Sequence, residues 1–195
     1  MSEPALKDDR MYTYGDYKNW PEDERWELID GTAWNMSPAP NRYHQKYLTG
    51  FMMQIAHFLE GSSCDVYPAP FEVLLPDNSE DEEDDISTVV QPDISVICDR
   101  NKLTDKGCTG APDWIIEILS PYTSRMDMSI KYELYERHRV REYWIADPGN
   151  KYVHVYLLDE KGKYPECPQV YLQDSVVTCH VIEGLSLDLR RVFSK

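Results

Sequence analysis

The segment Trp114-Ile115-Ile116-Glu117-Ile118-Leu119 constrains this chain more than any other. A short, almost continuously apolar run of this kind predicts a strand covered on both faces, because a strand with one wet face alternates. Glu117 interrupts it. A charge buried there without a partner costs several kcal/mol or forces protonation, so any fold containing this strand must bring something to Glu117: an Arg or Lys, a proton, or a cation.

Asp93 poses a similar demand. It follows Pro92 at the start of a second run, Asp93-Ile94-Ser95-Val96-Ile97, that otherwise calls for burial. Two carboxylates on neighbouring strands repel each other and raise one pKa unless a divalent cation between them reverses the balance. Hard oxygen ligands favour Mg²⁺ or Mn²⁺ over zinc. For one strand acid taken alone, pairing with an Arg or Lys is an equally open reading.

The 195 residues, 42% of them hydrophobic, suffice for one sizeable core and predict a single domain over 1–195, with its body at about 12–192. No apolar stretch of about 18 residues is present, and the first ten residues lack the apolar centre of a signal peptide. The expectation is a cytoplasmic protein without membrane contact. Five cysteines, odd in number and without a CxxC pair, predict reduced and mostly buried thiols.

A net charge of −15 has the wrong sign for gripping a polyanion through general electrostatics. The segment 77–85 holds seven acids and no base, so −8 remains on the rest. Mutually repelling acids with no apolar residue among them predict a mobile hairpin loop there. Any nucleic-acid contact must be local.

Along the chain, Tyr12 to Asn19 suits a short helix, and residues 25–36 a β-hairpin turning at Asp30-Gly31, with Glu27 and Ile29 on one face and Trp26 and Leu28 on the other. Ser37-Pro38-Ala39-Pro40-Asn41 breaks the strand, and Asn41 caps a helix to about Leu59 whose apolar face is Leu48, Phe51, Met52, Ile55, Phe58 and Leu59. Three strands follow at 66–75, 91–98 and 113–119. A capping box at Ser124 and Asp127 starts a helix to about His138. Strands at 142–146 and 152–158 flank Asp147-Pro148-Gly149-Asn150, a hairpin signal. Further strands at 170–172 and 176–181 extend the sheet, and Leu185, Leu187 and Leu189 dock the C-terminus. The fold class is α/β (α+β): a mixed β-sheet flanked by helices, with an N-terminal hairpin and extra C-terminal strands.

Several of these pieces, in this order and spacing, resemble the Uma-two-type restriction endonuclease family of the PD-(D/E)xK nuclease superfamily. They are Val90-Gln91-Pro92-Asp93, Ile116-Glu117-Ile118-Leu119-Ser120-Pro121, Lys131, and Arg141-Glu142-Tyr143-Trp144-Ile145-Ala146-Asp147-Pro148. Trp26-Glu27-Leu28-Ile29-Asp30-Gly31 and Met36-Ser37-Pro38-Ala39-Pro40 with His44 fit it as well, so the resemblance runs from about Tyr12 to Val192. It implies a restriction-endonuclease-like sheet and a Mg²⁺ (or Mn²⁺) held by Asp93, Glu117 and the backbone carbonyl of Ile118.

One position departs from the superfamily pattern: two residues beyond Glu117 stands Leu119 where the pattern has lysine. The family's lysine resembles one moved to the following helix, which points to Lys131; read from that helix alone, Lys131 is a solvated side chain. Hydrolysis of a phosphodiester, presumed to be in DNA, is the implied activity. His44 should point towards the protein, either as a hydrogen-bonded core or capping histidine or as a catalytic group. Glu27 is either a further metal or water ligand or a surface hairpin acid, and Tyr135 either lines the cleft or packs in the core. Resemblance to enzymes that cut two strands makes a homodimer conceivable. The alternative function is a catalytically inactive nuclease fold acting as a binding or dimerisation module.

Overall fold

The computed structural model describes residues 6–21, 24–36 and 41–194. Ser37-Pro38-Ala39-Pro40, read as a strand breaker and as part of a family motif, lies outside them.

A short helix, α1 (Tyr14–Tyr17), precedes the hairpin of β1 (Trp26–Ile29) and β2 (Thr32–Asn35). Asp30 (φ 50°) and Gly31 (φ 75°) both take the left-handed conformation of a two-residue turn, which Asp-Gly tolerates best. Helix α2 (Arg42–Leu59) starts where the Asn41 side chain accepts hydrogen bonds from the Tyr43 and His44 amides. Phe51, Ile55 and Leu59 are buried on its inner face, with Leu48 and Met52 packed beside them. Phe58, predicted to share that face, is exposed in the last turn and lies beside Gly184 instead of in the core.

A long two-stranded ribbon follows, and it changes sheet halfway. The predicted strand 66–75 is two strands, β3 (Asp65–Pro68) and β4 (Glu72–Leu74), parted at Ala69-Pro70. The returning arm is likewise parted at Gln91-Pro92-Asp93, into β5 (Val89–Val90) and β6 (Ile94–Ile97). Proline cannot donate to a ladder, so both arms yield at their prolines. The register steps by one residue between the halves, from Asp65↔Ile97 to Val73↔Val90. The acidic segment joins β4 to β5 and contains a 3₁₀ turn at Glu83–Asp85, with Lys18 paired to Asp84.

Next come β7 (Gly107–Thr109) and β8 (Trp114–Ile118). The chain then makes a π-helical turn, Met126–Ile130, that runs directly into α3 (Lys131–Arg137). The Ser124–Asp127 capping box does not form. The cap is Ser120, one turn earlier: its hydroxyl accepts from the Tyr122 and Thr123 amides, and Pro121 occupies the first helical position, where its missing N–H costs nothing.

The hairpin of β9 (Glu142–Asp147) and β10 (Tyr152–Leu157) is extended by β11 (Gln169–Leu172). β12 (Val176–Thr178) does not extend that sheet as predicted; it pairs with β13 (Ser186–Asp188) in a separate ribbon ahead of α4 (Leu189–Phe193). The buried Glu142 carboxylate holds this ribbon down by accepting from the His180 and Val181 amides and from the Trp144 indole.

Two mixed sheets result, in the orders β2-β1-β5-β4-β7 and β11-β10-β9-β8-β6-β3. Trp114, Ile116 and Ile118 of β8 face the core under α2 and α4, while Ile115 faces the core under α3. Glu117 shares the face of Ile115, so strand alternation turns it towards α3.

The cysteines need correction. Cys64 and Cys98 form a disulfide, because the β3–β6 register that pairs Asp65 with Ile97 sets them directly opposite each other. A separation of 34 residues hides that neighbourhood in the sequence. Cys108 and Cys179 are free and buried, as expected; Cys167 is free and exposed.

Candidate active site

The two sheets meet where the ribbon bends, and the bend places Asp93 beside the end of β8. The Ile118 amide donates to Asp93 Oδ2 at 2.8 Å, and the Asp93 amide donates to Glu117 Oε2 at 3.2 Å. The Asp93 carboxylate is thus held by the backbone next to Glu117, and the Glu117 carboxylate by the backbone of Asp93, a lock that depends on the strand breaking at Pro92.

Lys131 enters from α3. Its ammonium donates to Glu117 Oε1 and to Glu27 Oε1, both at 2.9 Å, and stands 3.8 Å from Asp127 Oδ1. Only 4% of Lys131 is exposed, so the reading as a solvated helix lysine fails. Asp127 and Lys131, four residues apart, share one helix face and both point inward. Tyr135, one turn further on and fully buried, donates its hydroxyl to Glu117 Oε1 at 2.9 Å.

Glu27, delivered by the first hairpin, accepts from the Gln91 amide at 2.8 Å as well as from Lys131. It is a buried partner of the lysine and not a surface acid. His44, on the first turn of α2, places Nε2 3.1 Å from Asp93 Oδ2. Asp93, Glu117, Lys131, His44, Glu27 and Ile118 all line one cleft of about 550 Å³. Two members of the cluster escape sequence reasoning. Asp127 was assigned to the capping box, although its place four residues before Lys131 on an apolar stretch is a usable signal. Gln91, whose side-chain amide reaches the Tyr17 hydroxyl at 2.9 Å, carries none.

Four carboxylates, Glu27, Asp93, Glu117 and Asp127, face one ammonium and one imidazole in this cleft. Arg25 also lines it but forms no ion pair with these four. Even with His44 charged, four against two leaves an excess of negative charge in a largely buried space. The side chains register the strain of that imbalance. Burial pushes the Glu117 carboxyl up to about 7, against the pull of Lys131, with Asp93 and Glu27 adding to the rise. Burial, and then Glu117, raise the Asp127 carboxyl well above its ordinary value. Burial pulls Lys131 down, yet Glu117, Glu27 and Asp127 together hold it well above an ordinary lysine. Burial pulls His44 down, but Asp93, with Glu117 and the Ile118 backbone, raises it, and its pKa ends above the ordinary value.

Protons or a cation must make up the difference. Among the described residues no three His, Cys, Asp or Glu side chains form a ready-made ligand set. The hard oxygens lining the cleft are those of the Glu27, Asp93, Glu117 and Asp127 carboxylates. That donor set fits Mg²⁺ or Mn²⁺, which are bound through one or two carboxylates with water completing the shell, and does not suit zinc.

The chain matches the family model Uma2, described as "Putative restriction endonuclease", over residues 14–190. It is similar to an uncharacterized protein of Synechocystis sp., at 20% identity over 152 residues, which cover 76% of this chain and 75% of that protein. Among solved structures it is similar to one described as "a putative nuclease belonging to DUF820", from Anabaena variabilis, with a TM-score of 0.72 and 22% identity over 93% of this chain and 97% of that one. At that identity the likeness carries the fold: mixed sheets flanked by helices. No helix among the described residues is long and apolar enough to cross a membrane.

Proposed function

The chain belongs to the Uma2 family, described as "Putative restriction endonuclease", and from that membership we propose that it hydrolyses phosphodiester bonds in nucleic acid, DNA first, in a Mg²⁺- or Mn²⁺-dependent reaction centred on Asp93, Glu117 and Lys131. The observation that carries this reading is the gathering of four carboxylates, Glu27, Asp93, Glu117 and Asp127, in one cleft where Lys131 and His44 are their paired cations, an excess that a divalent cation would neutralise.

Asp93, Glu117 and the carbonyl of Ile118 are the groups that would hold the ion. The chemistry such an ion supplies is polarisation of the phosphoryl oxygens and a lowered pKa for bound water. The remaining work falls to the chain itself. Lys131 presents a permanent positive charge to the oxygens on which charge develops as water attacks phosphorus. Glu27 and Glu117 each accept a hydrogen bond from its ammonium, fixing it in the cleft and leaving the third N–H for other partners. Tyr135 donates to the same Glu117 oxygen, Oε1, and helps to fix it. His44 steadies Asp93. In this arrangement Glu27 is a positioning residue for Lys131 and not a metal ligand.

The test is cleavage of plasmid and single-stranded DNA with and without Mg²⁺ or Mn²⁺. Cutting is expected with either ion, none with chelator, and a loss of about 10²-fold or more in Asp93→Ala and in Glu117→Ala. Cutting that persists in both variants sinks the proposal.

A further inference from the structure

Sheet edges expose unpaired backbone groups, and stable proteins cover or blunt them. Three of the four edges of the two large sheets are managed here. At β3, Pro68 offers no donor and Asp65 carries an ion pair to Arg100 at 2.9 Å. β2 is bridged by Leu6 against Trp34, and the Lys7 amide donates to the Ala33 carbonyl. β7 is bridged by Leu103 against Cys108.

The fourth edge, β11, has no such cover among the described residues. Its outward face carries Val170 at 54% exposure and Leu172 at 59%, while Tyr171 packs inward. No charge falls between Glu166 and Asp174, in a chain with a net charge of −15. An apolar, uncharged, uncovered strand at the end of a six-stranded sheet is what negative selection normally removes.

From this edge we propose that the chain forms a two-fold dimer in which β11 of one copy pairs antiparallel with β11 of a second, joining two six-stranded sheets into one. The occupant is a second copy because the strand complements itself. Gln169-Val170-Tyr171-Leu172-Gln173 reads nearly alike in both directions. An antiparallel axis through Tyr171 sets Val170 opposite Leu172 twice over, faces Tyr171 with its counterpart, and brings Gln169 to Gln173. Apolar side chains then meet on one face, as cross-strand pairs require, and a two-fold contact uses the same patch on both copies. Two strongly negative molecules also meet where neither carries charge. The ladder is short, so the interface is smaller than a standard one and association weak. This inference is independent of the proposed chemistry.

Sedimentation of the full chain from about 1 to about 100 μM tests it, the range in which weak interfaces appear. The mass should rise from 22.8 kDa towards twice that value. Val170→Lys with Leu172→Lys should stay at the single-chain mass with an unchanged circular dichroism spectrum, since both side chains are exposed. Amide exchange across 169–172 should slow with concentration in the unaltered chain only. A single-chain mass throughout, or a dimer that survives the double substitution, overturns the proposal.

Discussion

At the scale of single residues, burial of a carboxylate is not itself a sign of chemistry. Glu142 is fully buried, yet two backbone amides and an indole satisfy it and it serves only to fasten the C-terminal ribbon. Glu117 differs in its company: two further carboxylates within reach of the same ammonium, and Asp93 locked to its strand. Lys131→Ala should therefore be costly, by about 3–5 kcal/mol in urea unfolding, because it strands buried charge. Asp127→Asn replaces a buried acid whose ionisation its surroundings already disfavour and should leave stability unchanged or higher; a loss above about 1 kcal/mol would show Asp127 to be a needed partner of Lys131. The sequence already marks Asp93 and Glu117, since a charge inside an apolar run has to be explained. Local pattern does not mark Lys131 or Glu27, which only the family resemblance singles out, because their meaning arises when a helix and a hairpin distant in the chain converge.

At the scale of elements, the helix that delivers Lys131 shows what local pattern can and cannot convey. Its existence is legible from the apolar spacing of Met126, Ile130 and Leu134, but Ser124-Arg125-Met126-Asp127 mimics a capping box while the true start, Ser120-Pro121, sits one turn upstream. A π-helical turn leads from that start into α3, and such turns occur disproportionately at functional sites. Ser120→Ala should cost about 1 kcal/mol of stability, whereas Ser124→Ala should fall within about 0.5 kcal/mol of the parent; the reverse order would restore the cap at Ser124. The bent ribbon teaches a similar lesson. Apolar runs at 66–75 and 91–98 read as single strands, and the prolines at 70 and 92 are the only local hint that each strand belongs to two sheets. That division creates the corner where Asp93 sits.

At the scale of the whole molecule, the charge of −15 and the proposed substrate pull in opposite directions. The acidic segment lies in the β4–β5 connection, and the carboxylate cluster supplies more of the negative charge within the cleft. A polyanion approaches such a cleft only if the cluster is first neutralised, so metal binding and substrate binding are coupled through charge in this account. The general architecture, a mixed sheet with an N-terminal hairpin and flanking helices, is legible from periodicity and turn residues. The division into two sheets, the separate C-terminal ribbon and the Cys64–Cys98 pair are not, because each depends on contacts between segments far apart in the chain. The most direct test of the central claim is calorimetric titration of the folded chain with Mn²⁺. The account predicts saturable binding that vanishes in both Asp93→Ala and Glu117→Ala, with circular dichroism unchanged. No binding, or binding that survives in Asp93→Ala, would contradict it.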